Sequence, residues 1–361
     1  MKIRIFAGIM TVICMIILSC GCTGTGTVTD NVSGTVTSAA AGTVTDTAAN
    51  TTTEGAANVK DSTVIENTDG RVLRCVTDSA AFSPRKLHKV FVFNNKMWLF
   101  GGRNAESDMN DIWQTSDGRN WEQVKPKVEL PSFDGPKQIV VFKNKIWIFA
   151  PKGEVWNSSD GVDWTKIDSH GNYPERYGIS PIVFNDRIWF IGGWNDDKKC
   201  HDNDVWYSGD GIEWEVATDA ANFSIRSDYN VTVYDNKLWI IAGQGGPNNN
   251  DAWYSEDGKE WIQATPAAGF QKRHCAAAAV CYDRIWLIGG FAGYYMSNCY
   301  RNDVWSSADG AGWTEQDSTL NRFSKRNEFQ AVEFDNKLWV IGGETGYFHS
   351  GELLNDVWCL E

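Results

Sequence analysis

Tryptophan is the residue that most restricts what this chain can become. Seventeen of its eighteen copies form three interleaved series. The first is Trp98, Trp147, Trp189, Trp239, Trp286 and Trp339, with steps of 42 to 53 residues. The second is Trp113, Trp156, Trp206, Trp253, Trp305 and Trp358. The third follows five of these by eight residues, at Trp121, Trp164, Trp214, Trp261 and Trp313. Only Trp194 stands outside. A period near fifty describes one supersecondary unit repeated six times, each unable to bury its apolar face alone.

Each unit reads as four strands. An apolar strand a, such as 89–93 or 231–234, ends in an Asn-Asn-Lys or Asp-Asn-Lys turn of the hairpin kind. Strand b carries the first tryptophan and runs into Gly101-Gly102, Gly192-Gly193, Gly289-Gly290 or Gly342-Gly343. After a loop of variable length comes strand c, of the Asn-Asp-Val-Trp type. A Ser-x-Asp-Gly turn then leads to strand d, since glycine tolerates a positive φ there. The sixth unit stops at Trp358-Cys359-Leu360-Glu361, before its strand d. The missing strand lies at the other end: residues 73–85 align with 214–226, sharing Thr77, Asp78, Ala80, Phe82, Ser83 and Arg85 with their counterparts. An N-terminal strand that completes the last unit removes a free sheet edge, which a ring needs and a solenoid does not. The expected fold is therefore all-β: a six-bladed β-propeller of four-stranded antiparallel blades over residues 71–361.

The N-terminus reads differently. Lys2 and Arg4 precede an apolar run from Ile5 to Leu18, too short for a comfortable membrane span and suited to a signal peptide over residues 1–22. Ile17-Leu18-Ser19-Cys20 resembles a bacterial lipobox, and that resemblance implies lipidation of Cys20; Cys22 is the weaker candidate. Residues 23–65 are rich in Thr, Ala and Gly and lack aromatics, so they read as a disordered linker. The expected location is outside the cell or in its envelope, with membrane contact only through the lipid. The formal net charge of −13 leaves no basic stripe for phosphates, which argues against nucleic acid.

The Gly-Gly strand, the later tryptophan and an arginine ahead of strand a resemble kelch repeats and the galactose-oxidase-type propeller, over residues 71–361. That arginine stands thirteen residues before the strand-b tryptophan, as Arg85, Arg176, Arg226, Arg273 and Arg326; the second unit has Asp134 instead. Two roles are open. The arginines either pair with Asp111, Asp204, Asp251, Asp303 and Asp356 or stack on tryptophan as framework, or they form a guanidinium ring for a carboxylate-bearing ligand. The resemblance implies that the central pocket is faced by the residues after Gly-Gly and those two past the arginine. The first set is Arg103, Lys152, Trp194, Gln244, Phe291 and Glu344; the second is Leu87, Pro136, Gly178, Asp228, Cys275 and Glu328. Tyr294 and Tyr295 add to the aromatic share. Aromatics mixed with polar groups suit a sugar or a peptide. The candidate ligand-binding set is Arg103, Trp194, Gln244, Phe291, Glu344, Asp228 and Glu328, with Arg226, Arg273 and Arg326.

Catalytic patterns are sparse. The histidines 88, 170, 201, 274 and 349 lack metal spacing, and Cys200-His201 reads as solvated loop. Ser-x-Asp-Gly-x-x-Trp is one residue short of the sialidase Asp-box it resembles. No cofactor or metal is expected. Cys75 and Cys359 fall on paired strands of the closing blade, so a disulfide there is open, whereas Cys275 and Cys281 read as buried thiols. The leading expectation is a surface-exposed, lipid-tethered binding module for carbohydrate or protein. The alternative is an exported sugar-acid epimerase or mutarotase, for which Asp228 or Glu328 with an arginine supplies the acid and base.

Overall fold

In the computed structural model, the described residues are 71–125, 127–128, 138–150, 154–167, 175–293, 299–316, 323–346 and 351–361. The sequence expectations for Cys20, Cys22, the signal peptide and linker, Asp134, Pro136, Lys152, His170, Tyr294, Tyr295 and His349 fall outside these residues.

The described strands form six four-stranded antiparallel sheets. The first blade shows the plan: β2 (Lys89–Phe93), β3 (Lys96–Arg103), β4 (Asp108–Thr115) and β5 (Glu122–Lys125), in that spatial order. The a strands, β2, β6 (Gln138–Phe142), β10 (Ile182–Phe184), β14 (Asn230–Tyr234), β18 (Ala277–Cys281) and β22 (Gln330–Phe334), each lie against the next, and β22 returns to β2. That circle is the closed ring of a six-bladed β-propeller.

Closure uses both chain ends. In the last blade β22 is followed by β23 (Lys337–Glu344), β24 (Leu353–Leu360) and then β1 (Leu73–Thr77) from the N-terminal side. Val72 and Glu361 exchange two backbone hydrogen bonds, of 2.9 and 3.1 Å. The pairing of strands agrees with the sequence, but the disulfide does not. Arg74 stands opposite Cys359 and Cys75 opposite Trp358. A one-residue offset sends two side chains to opposite faces of a sheet. Cys75 is accordingly exposed, Cys359 buried, and both thiols are free.

The repeated side chains hold connectors as well as cores. Asp251 is paired with Arg226 by two hydrogen bonds of 2.8 Å, and accepts a third from Trp253 Nε1 at 2.8 Å. Arg226 is 0% exposed and also donates to the Ala242 carbonyl. The same fork joins Arg85 to Asp111, Arg273 to Asp303 and Arg326 to Asp356. Arg176 bonds Asp204 through Nη2 alone and lies 2.9 Å from Asp202. In the third and fourth blades the preceding asparagine holds the outgoing connector: Asn203 bonds the Ala221 and Phe223 carbonyls, Asn250 those of Ala268 and Phe270. Asn355 bonds Ala80 and Phe82 in the same way, so the N-terminal segment occupies an ordinary connector's place. Asn-Asp-x-Trp is thus a clamp that grips the incoming connector through Asp and the outgoing one through Asn.

Candidate functional site

The b–c loops and the d–a connectors meet at one end of the ring. Strand b continues past Gly-Gly in the first, third, fifth and sixth blades, through a register shift such as that between Ile191 and Gly193. A bulge there re-aims the residue that follows. Gly193, at φ +101°, has no room for more: a Cβ would stand 2.4 Å from Ile179 Cγ2. The residue beyond then bridges the residue after the repeated arginine. The pairs are Lys86 with Arg103, Tyr177 with Trp194, Ser227 with Gln244, His274 with Phe291, and Asn327 with Glu344. This outer rim contains all five described residues expected after Gly-Gly.

Inside it lies a second ring. Leu87, Gly178, Asp228, Cys275 and Glu328, two residues past each arginine, all have left-handed backbones, with φ of 50 to 65°. Asp228 donates its N–H to the Gly178 carbonyl at 2.7 Å, Cys275 to Asp228 at 3.1 Å, and Leu87 to Glu328 at 3.0 Å. Three of the blade junctions are thereby laced together beside the channel. Four non-glycine residues in this conformation are strained and persist because the surrounding structure overdetermines them. Gly178 leaves space for its neighbour: a Cβ there would lie 2.7 Å from Asp228 Oδ1.

Charge concentrates within these rings. Lys86 Nζ lies 2.8 Å from Glu344 Oε2 and 3.3 Å from Glu328 Oε2. Burial, reinforced by the Glu344 and Asp228 charges and opposed by Lys86, pushes the Glu328 carboxyl above its ordinary range. Burial works against the Lys86 ammonium, but Glu328 and Glu344 hold it above its usual range. Burial lowers Lys89, His201 and His274, while the Asp228 charge resists each shift. Burial, then Asp228 and Glu328, push the Cys275 thiol well up, so it is protonated at neutral pH. His274 is 3.0 Å from Asn248 Oδ1, and Ser227 Oγ donates to Asp228 Oδ2 at 3.0 Å.

Several expected site residues take other roles. Arg226, Arg273 and Arg326 are fully buried in their ion pairs, so they are framework and do not face a ligand. Phe291 is 5% exposed behind His274 and Tyr300, at centroid distances of 5.3 and 5.2 Å, and cannot offer its face. Cys200 and His201 lie on strand β12 (Cys200–Ser208), where they pair with Asn195 and Trp194 of β11 (Arg187–Asn195), rather than in a loop. Half-buried Trp194 meets the His201 ring edge-on at 5.0 Å. Lys86, His274 and Asn327 belong to the rim and were not expected; their position, one past the arginine, was the available signal. Among the described residues no group of three or more His, Cys, Asp or Glu is placed to hold a metal ion.

The family comparison agrees with the architecture. Residues 74–175 match the family model described as the DUF6242 beta propeller domain. A 127-residue stretch is 24% identical to the leucine-zipper-like transcriptional regulator 1 of Mus musculus, and equally to that of Homo sapiens. The match spans 30% of this chain and 15% of each relative's length.

Proposed function

We propose that this chain is a kelch-type, lipid-tethered, surface-exposed binding module whose carbohydrate or protein ligand seats at the mouth made by the b–c loops and d–a connectors. One observation carries the reading. Four blades deliver residues that differ from blade to blade, namely Arg103, Trp194, Gln244, Glu344, Asp228 and Glu328, onto otherwise repeated framework positions at one end of the ring. A scaffold that repeats while its rim varies suits recognition. Cys20 is the proposed lipid site.

The test is a glycan array probed with the full chain and with Trp194→Ala. An off-pattern aromatic at a rim is the type of residue that anchors a ligand. Binding should weaken about tenfold, about 1.4 kcal/mol, with little change in melting temperature. Trp239→Ala should do the opposite, because Trp239 is buried and its Nε1 donates to the Tyr234 carbonyl. Array hits that bind Trp194→Ala normally place the site on another face.

A second reading, an exported sugar-acid epimerase or mutarotase, is favoured by the raised Glu328 carboxyl beside Asp228. The repeated arginines are sequestered, so the cation beside Glu328 in that reading is Lys86. Glu328→Gln separates the two: turnover is lost in the enzyme, whereas binding alone tolerates the neutral isostere.

A further inference from the structure

Two carboxylates of the sixth blade, Glu328 and Glu344, flank Lys86 Nζ at 3.3 and 2.8 Å, and Asp228 of the fourth blade stands on the same inner ring as Glu328. Among the described residues, cations near them include Lys86, which bonds two of the three, and Lys89, which burial disfavours in its charged form. Arg103 Nε lies 3.9 Å from Asp108 Oδ1. Lys86 shows what the cluster accepts, since an ammonium already lies between Glu328 and Glu344.

A separate observation points to a missing donor. Asn327 is 8% exposed, and its Oδ1 has no hydrogen-bond partner. Asn327 and Glu344 exchange both backbone hydrogen bonds, at 3.2 and 3.1 Å. Directly opposed residues in an antiparallel pair project their side chains to the same face. The unpaired Asn327 oxygen therefore shares the face on which the Glu344 carboxylate reaches into the cluster. A buried acceptor without a donor is costly, and a ligand that supplies the donor removes that cost. Across the mouth, the half-buried Trp194 indole stands beside the His201 ring, 5.0 Å between centroids, and the Asp228 charge acts on His201.

We propose that the inner mouth binds a small sugar carrying a primary ammonium group, with the ammonium held by Glu344, Asn327 Oδ1 and Asp228 and the ring against Trp194. The inference rests on the mouth being the binding site. Uncharged sugars fill the same space without bringing a second cation to Glu344 and Asp228, and N-acetylation removes the charge while keeping the ring.

The experiment is ligand-observed NMR titration of the full chain with glucosamine, N-acetylglucosamine, glucose and lysine methyl ester. Glucosamine should bind about tenfold more tightly than N-acetylglucosamine or glucose, a difference that shrinks with added salt. Glu344→Gln, which keeps shape and loses charge, should erase the preference, and so should Asn327→Leu, each with its melting temperature checked. Absence of glucosamine binding at roughly 50 mM, far weaker than specific recognition needs, overturns the proposal. Equal binding of glucosamine and glucose also overturns it; if Trp194→Ala weakens both, the mouth itself stands. Lysine methyl ester binding as tightly as glucosamine overturns the sugar assignment. A preference for glucosamine that neither Glu344→Gln nor Trp194→Ala alters refutes both the amine site and the mouth.

Discussion

Two glycines in one turn provide a stringent test of how the blades hold together. The c–d turn of the third blade reads Ser208-Gly209-Asp210-Gly211. A Cβ on Gly209 would meet nothing within 4 Å. Gly211 has φ +81°, and a Cβ there would come 2.8 Å from Trp147 Cζ3 and 3.0 Å from Cε3, on the neighbouring blade. Every described turn of this kind repeats the arrangement: Gly118 lies on Trp339, Gly161 on Trp98, Gly258 on Trp189 and Gly310 on Trp239. Alanine at Gly211 incurs about 1–2 kcal/mol for the left-handed backbone. Overpacking against a buried indole adds roughly 1–3 kcal/mol. The total is roughly 2–5 kcal/mol, which for a domain of this size lowers the melting temperature by about 4–10 °C. Gly209→Ala should change it by less than about 1 °C on the same reasoning. Thermal unfolding followed by circular dichroism measures both. Equal shifts for the two variants would refute the claim that the Asp-Gly turns lock each blade onto the preceding tryptophan.

The buried latch should behave unlike a surface pair. Arg226→Met, which strands Asp251, should cost about 3–5 kcal/mol in denaturant unfolding, whereas Lys199→Met at the exposed Lys199–Asp196 pair should cost less than about 1 kcal/mol. Acid stability should fall in two windows. Burial, with the Arg85 charge, pushes His88 down to about 3, so its stabilising neutral form is lost as pH drops from about 6.5 toward 3. Desolvation favours protonation of Asp117, but hydrogen bonds from Asn120, Arg119 and Thr115 outweigh it and hold the carboxyl down to about 2. The Asp117 contribution is therefore complete above about pH 4 and disappears as pH falls through 2. His88→Gln should flatten the upper window and Asp117→Asn the lower, in melting temperatures recorded from pH 7 to 2.

Much of the ring was legible because its determinants repeat. Strand-b tryptophans, Gly-Gly and Asp-Gly recur at fixed offsets, and the likeness of 73–85 to 214–226 foretold the closing strand. The framework role of the arginines was also one of the two readings the repetition allowed. The mouth was legible only by position. Trp194, Gln244 and Glu344 lie where the register put them, but Phe291 is covered by Tyr300 across a hairpin, and nothing local in the sequence announces that partner. The ring of left-handed residues was invisible, because Leu87, Asp228, Cys275 and Glu328 adopt a backbone that their side chains disfavour; only Gly178 at the equivalent position hinted at it. Cys75 and Cys359 failed as a pair by one residue of register, a distinction that strand assignment alone does not resolve.

A single mouth requires a closed ring, and closure is tested most directly by comparing two deletions in the full chain. Removing residues 71–78 takes away β1, its ladder with β24 and the Val72–Glu361 exchange, leaving β24 as an open edge. Removing residues 23–60 takes away a Thr- and Ala-rich segment that the sequence assigns to the linker. The account predicts that the first deletion lowers the melting temperature of the whole domain by roughly 10 °C or more, or prevents folding, while the second leaves it within about 1 °C. Equal melting temperatures for the two proteins would contradict the closed ring and the mouth built on it.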